Sequence, residues 1–199
     1  MNDHDHDDHA HHQDGHDGHV HEPISYSDQI GEQRASKDSF FKQSPHSPIP
    51  AHERSGFQGL AYYDVDASLR FAPVTLEPLG DDLPRATQVQ TSDGAIRDGQ
   101  RAGVFRFEVG GIEQRLTALQ LEGSSGDALF VPFVDATSGS ATYGAGRYLD
   151  LEPLPDGRYD LDFNLAYAPF CAYAEHYSCP LPPAENRLPV PITAGERER

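Results

Sequence analysis

The chain is short of positive charge. Only 15 of its 199 residues are lysine or arginine, against 32 aspartates and glutamates, a formal net charge of −17 with histidine neutral. A polyanion of this strength repels phosphate backbones and anionic lipid faces, so the expected partners include neither nucleic acid nor membrane. Long apolar runs are missing too: nothing approaches the roughly 20 residues needed to span a bilayer. The opening Met1-Asn-Asp-His has neither the basic nor the apolar region of a secretory leader, and the expectation is a soluble, cytoplasmic protein. Two standard catalytic frames are lacking as well. No serine stands in a strand-elbow-helix context, and Gly144-Ala-Gly146 has no following helix to cradle a phosphate, so it reads as a bulge or a close backbone contact.

Lysine is the scarcer base. Lys37 and Lys42 are the only lysines beside thirteen arginines, and the acids run from end to end. That pattern suggests a halophile, whose salt screens self-repulsion; the competing reading is an ordinary acidic protein from a GC-rich bacterium.

The length suits one domain, or one domain with a tail. Residues 1–22 carry eight histidines (His4, His6, His9, His11, His12, His16, His19, His21), seven acids and no base. Such a segment cannot bury enough apolar surface to offset its ordering entropy, and residues 1–23 are expected to be disordered. Imidazoles interleaved with carboxylates are good ligands for a divalent transition metal such as zinc, nickel, copper or cobalt. The tail therefore reads either as a metal buffer or delivery device, or as a solubilising extension with incidental affinity.

Residues 24–199 read as a single β-rich domain. A helix is expected near 27–43, with Ser25 or Ser27 as cap and Ile30, Phe40 and Phe41 as its apolar positions. Prolines forbid its continuation into a loop over 44–56, where His46 and His52 read as exposed. Beyond Phe57, short β-rich runs alternate with Gly, Pro and Asp. The fold class is mainly β: an antiparallel β-sandwich or small β-barrel of about seven to nine strands with one N-terminal α-helix. The clearest hairpin joins residues 104–109 to 112–117 through Gly110-Gly111. Further strands are expected near 69–74, 86–90 and 129–134.

Residues 142–152 and 158–167 look like two strands around Pro155-Asp156-Gly157. A three-residue loop pairs Leu151 with Leu161, Leu149 with Phe163 and Arg147 with Leu165. The same register sets Asp150 opposite Asp162 and Tyr148 opposite Asn164 on the other face. Two carboxylates across a ladder repel and call for an arginine such as Arg187, a bound cation or a shared proton; alternatively the face is open to screening salt. Tyr143, Tyr148, Asn164 and Tyr167 add phenol and amide groups suited to a small ligand. The ligand-binding candidates are Tyr143, Arg147, Tyr148, Asp150, Asp162, Asn164 and Tyr167, followed by Asp135, Glu185 and Asn186. Three functions stay open: a binder of a small molecule or cation on this face; a hydrolase or lyase in which Asp150 and Asp162 act as acid and base or hold a metal; and a metal chaperone working through the tail.

Residues 168–188 form a loop rich in proline and aromatics that holds Cys171 and Cys179, with His176 between them. They are packed free thiols, a disulfide or redox pair, or metal ligands or a nucleophile partnered by His176. With Phe130-Val-Pro-Phe-Val-Asp-Ala-Thr-Ser-Gly139, Thr142-Tyr-Gly-Ala-Gly-Arg-Tyr-Leu-Asp150, Asp162-Phe-Asn164 and Pro189-Val-Pro-Ile-Thr-Ala-Gly-Glu196, this block resembles domain-of-unknown-function family 1684 of uncharacterised bacterial and archaeal proteins. The resemblance covers most of the chain beyond residue 25. It implies a shared fold and no assigned activity, substrate or catalytic residue. Ala168 departs from it, where the family leads one to expect asparagine.

Overall fold

Ser25 starts the first element. In the computed structural model, which describes residues 24–121, 123 and 127–198, its hydroxyl accepts the Asp28 N–H and caps helix α1, Tyr26–Gln43. The histidine tail and its proposed metal ligands lie outside the described residues. The helix ends where Ser44-Pro45 turns the chain away, and residues 44–57 fold back on it. Phe41, Ile49 and Phe57 pack together there, with Leu60, Phe170 and Tyr173 against them. His46 and His52 are exposed.

Seven strands follow among the described residues: β1 Arg70–Val74, β2 Ala86–Gln90, β3 Ile96–Val109, β4 Ile112–Leu121, β5 Leu129–Phe133, β6 Arg147–Leu151 and β7 Tyr159–Asp162. They make two antiparallel sheets, a five-stranded one in the order β2-β3-β4-β5-β6 and a two-stranded one of β1 and β7. The class is mainly β, as expected. The barrel is not: β2 and β6 remain the outer strands of the larger sheet and nothing closes it. No described helix is long and apolar enough to cross a membrane.

The β3–β4 hairpin forms in the expected register, with Val109 opposite Ile112 and Phe105 opposite Leu116. Gly110 and Gly111 both take positive φ, 58° and 80°, as a two-residue primed turn requires. Phe105, Phe107 and Leu116 are buried, while Ile112 at the hairpin tip is exposed. The main core lies between the sheets. Phe163 is its centre, with ring centroids 6.1 Å from Phe71, 5.3 Å from Phe107 and 5.3 Å from Phe133. Leu188, Ile192 and Ala194 of the C-terminal segment pack into the same cluster.

The expected pairing of residues 147–151 with 161–165 does not occur. The turn itself exists: the Gly157 N–H donates to the Leu154 carbonyl at 2.8 Å and the Leu154 N–H to the Arg158 carbonyl at 2.7 Å. Beyond it the arms part. β6 pairs with β5, setting Leu151 opposite Leu129 and Asp150 opposite Phe130. β7 pairs with β1, setting Leu161 opposite Phe71 and Asp162 opposite Arg70. Two local causes explain the split. Asp162 ends its strand by accepting the Asn164 N–H and capping a short 3-10 turn, Phe163–Leu165, a side-chain bond that competes with the ladder. The free edge of Tyr148 is taken by Tyr167, with N–H to carbonyl bonds of 2.8 and 3.1 Å, and not by Asn164. The apolar alternation is still satisfied, because Leu149 and Leu161 enter one core from opposing sheets.

Candidate functional site

One face of α1 carries Tyr26, Ile30, Arg34, Lys37 and Phe41, spaced by three or four residues. This face lies across the segment from β6 to Tyr167. Between them opens a cleft of about 550 Å³. Arg34, Lys37 and Phe40 line its helix side, Asp150, Glu152, Asp160 and Asp162 the sheet side, and Tyr62, Leu165 and Phe170 complete it.

At one end a buried polar network fixes the helix to the sheet. The Asp162 carboxylate accepts the Tyr26 hydroxyl at 2.7 Å, the Asn164 N–H at 2.9 Å and the Asn164 side-chain amide at 3.0 Å. That amide also donates to the Asp66 carbonyl at 2.8 Å, and its oxygen accepts the Asp66 N–H at 2.8 Å. Arg34 donates to the Tyr63 carbonyl at 2.9 Å and lies over the Tyr62 ring, 4.6 Å from its centroid. Burial, helped by the Asp162 charge, pushes the Tyr26 phenol well above its ordinary value. Two polar atoms at this cleft, Arg34 Nε and the Tyr62 hydroxyl, are buried and find no hydrogen-bond partner among the described residues.

At the other end the Tyr167 hydroxyl donates to Asp150 at 2.6 Å. Burial first, and the Asp150 charge second, push the Tyr167 phenol upward. Lys37 Nζ stands 4.8 Å above the Tyr167 ring and pairs with Glu196 at 2.6 Å. Glu196 is almost wholly buried, and desolvation holds its pKa above the usual carboxylate value although Lys37 pulls the other way. Asp150 and Glu152 are exposed, and Glu152 has no salt bridge among the described residues. Phe40 and Leu165, two of the few exposed large hydrophobics, stand at this cleft.

Four of the expected residues therefore meet: Asp150, Asp162, Asn164 and Tyr167. They meet around a cleft, not across a ladder, and Asp162 already accepts three hydrogen bonds there. The others have structural partners. Arg147 is buried, giving its guanidinium to Asp135 at 2.6 Å and to the carbonyls of Ala194, Ile192 and Glu196. It ties β6 to the C-terminal segment and does not line the cleft. Asn186 holds β4 and β5 together where their ladder is thin, accepting the Thr117 N–H at 2.7 Å and donating to the Thr117 and Pro132 carbonyls at 2.8 Å. Glu185 pairs with Arg101 at 2.7 Å. Tyr148 is buried, its hydroxyl donating to the Pro180 carbonyl. Arg187, considered as a cover for the carboxylates, is exposed beside Val134. Gly146 makes the close approach expected of it, since a Cβ there would collide with the Phe133 carbonyl.

Tyr143 borders a second cleft of about 550 Å³, between residues 49–61 and residues 196–198. Its hydroxyl points at Cys171 Sγ, 3.8 Å away. Both cysteines are free thiols, and His176 is exposed, against Tyr177 and not between them. Among the described residues no three His, Cys, Asp or Glu side chains converge in a metal-binding group.

Arg34, Lys37 and Tyr62 were not expected at the site. The first two carry a readable signal, since they fall at helical spacing between Ile30 and Phe41. Tyr62 carries none.

Residues 55–197 match the family model described as "Protein of unknown function (DUF1684)". Among solved structures, the chain is similar to the solution structure of the uncharacterized protein from gene locus rrnAC0354 of Haloarcula marismortui, with 41% identity over 86% of this chain and 93% of that one and a TM-score of 0.63. No curated protein matches the chain significantly.

Proposed function

The chain belongs to the DUF1684 family of proteins of unknown function, which brings no activity with it, and we propose from the cleft alone that it binds a small organic molecule with an apolar body and a cationic head. The observation that carries this reading is an unbalanced cleft. Of the four carboxylates that line the cleft, Asp160 is held by Arg70 at 2.6 Å and Asp162 by Tyr26 and Asn164; Arg34 is engaged by backbone carbonyls and Lys37 by Glu196, which leaves Asp150 and Glu152 with oxygen that no described cation covers, at the mouth beside Phe40 and Leu165. An ammonium or guanidinium group would sit on the free oxygen of Asp150, with the Glu152 carboxylate close by. The apolar remainder would lie on Phe40, Leu165 and Phe170. Asp162 accepts three hydrogen bonds from Tyr26 and Asn164, and its part in this reading is to position the cleft.

The test is thermal denaturation of the full chain with alkylammonium ions and with carboxylates of equal length. The ammonium series is expected to raise the midpoint in wild type and not in Asp150→Asn. Equal effects from both series, or an undiminished effect in the variant, would overturn the proposal.

A second reading rests on a separate observation, the eight histidines and seven acids in residues 1–22. We propose that these side chains chelate a divalent transition metal. Deleting residues 1–22 would then abolish nickel or zinc uptake and leave ammonium binding intact; retained uptake would refute it. Residence in a salt-rich cytoplasm belongs to the same proposal, supported by the net charge of −17 and the scarcity of lysine.

A further inference from the structure

Cys171 and Cys179 are free, but they are not separate. Cys171 lies on a short 3-10 turn, Phe170–Ala172, and its backbone N–H donates to Cys179 Sγ at 3.3 Å. A sulfur that close to the backbone nitrogen lies within the sweep of the Cys171 side chain, whose own sulfur hangs three bonds from the same atom. The two differ in access: Cys171 is half-buried and Cys179 buried. They differ in hydrogen bonding as well. Tyr143 aims its hydroxyl at Cys171 Sγ, 3.8 Å away, and no such hydroxyl is directed at Cys179 among the described side chains. Desolvation lifts the Cys179 thiol to about 11, with Cys171 itself among the groups acting on it. Around neutral pH, Cys179 therefore keeps its proton. Tyr143, Ala172 and Tyr173 also line the second cleft, whose Ile49, Phe57 and Leu60 give it an apolar wall.

We propose that Cys171 and Cys179 form a dithiol site for hydroperoxides, with Cys171 as the attacking thiolate, Tyr143 as its positioning residue and Cys179 as the resolving thiol. Cys171 Sγ attacks the terminal oxygen of the hydroperoxide and the O–O bond breaks. The departing alkoxide takes a proton and leaves as an alcohol, or as water from hydrogen peroxide. Cys171 is then a sulfenic acid. Cys179 Sγ displaces its hydroxyl, which combines with the Cys179 proton as water, and the S–S bond forms. Two thiols lose two electrons and the peroxide bond gains them. This inference is independent of the ammonium cleft.

The experiment treats the full chain with hydrogen peroxide and, separately, cumene hydroperoxide, in the presence of a chelator that keeps tail-bound metal from oxidising thiols. The expected product has lost two hydrogens in intact mass and joins Cys171 to Cys179 in a non-reducing peptide map, forming faster than free cysteine is oxidised at the same pH. Cys179→Ser should stop at a sulfenic acid on Cys171, trapped by dimedone. Tyr143→Phe should slow the first step by about fivefold, the worth of one hydrogen bond. A rate no greater than that of free cysteine, sulfenic acid on Cys179, or only intermolecular disulfides would overturn the proposal. If Cys179→Ser fails to fold, the wild-type peptide map and rate decide alone.

Discussion

Tyr26 and Asp162 stand 136 positions apart in sequence and 2.7 Å apart in space, phenol donating to carboxylate. That bond joins the first turn of α1 to the end of β7, and with Asn164 it sets the distance between the two walls of the cleft. Tyr26→Phe leaves one oxygen of a buried carboxylate without its nearest donor, Arg70 being 4.0 Å away. The expected loss is about 1–3 kcal/mol in urea denaturation, with faster amide exchange in the first turns of the helix. An unchanged midpoint would show that the helix is held by its apolar side chains alone.

Arg147 and Asp135 make the most deeply buried ion pair, with side chains 1% and 0% exposed. Arg147→Met strands the carboxylate and frees three carbonyls, so the loss should be large, about 3–5 kcal/mol. Replacing both partners with apolar residues should recover part of it. If the single variant costs no more than a surface substitution, the arginine does not hold the C-terminal segment.

Glu196 gives a pH dependence with a definite sign. Burial raises its folded pKa above the unfolded value of 4.5, so the folded state retains a proton that the unfolded state has released. The stability from this group is fully present below pH 4.5 and is lost as pH rises through the folded value. Denaturation midpoints of wild type minus those of Glu196→Gln should therefore fall as pH increases above 4.5; a difference that grows would reverse the assignment.

The net charge predicts a salt response. Between about 0.1 M and about 1 M KCl the screening length falls from about 10 Å to about 3 Å, and self-repulsion among the carboxylates falls with it. The midpoint of urea denaturation should rise across that range, and a flat profile would remove the halophile reading.

The legible parts of the chain were those fixed by local chemistry. Gly110-Gly111 determines its hairpin because only two consecutive positive-φ residues close that turn, and Ser25 and Ser44-Pro45 bound the helix by capping and by a missing donor. The β6–β7 pairing was not legible. Alternating Leu149, Leu151, Leu161 and Phe163 fit one ladder and two facing sheets equally well, and the balance is tipped by the cap that Asp162 makes and by Tyr167 taking the edge of Tyr148. Arg147 and Asn186 look like ligand residues in the sequence because a buried structural staple and a binding group draw on the same side chains. Arg34 and Lys37 pass for solvated helix charges until the helix is docked, and the cleft they help to line depends on that docking.

The most direct measurement of the binding account is an NMR titration of the labelled full chain with an alkylammonium ion. The account predicts saturable amide shifts at Asp150, Leu165 and Tyr167 and on α1 around Lys37, absent in Asp150→Asn. Shifts confined to other surfaces, or unchanged in the variant, would contradict it.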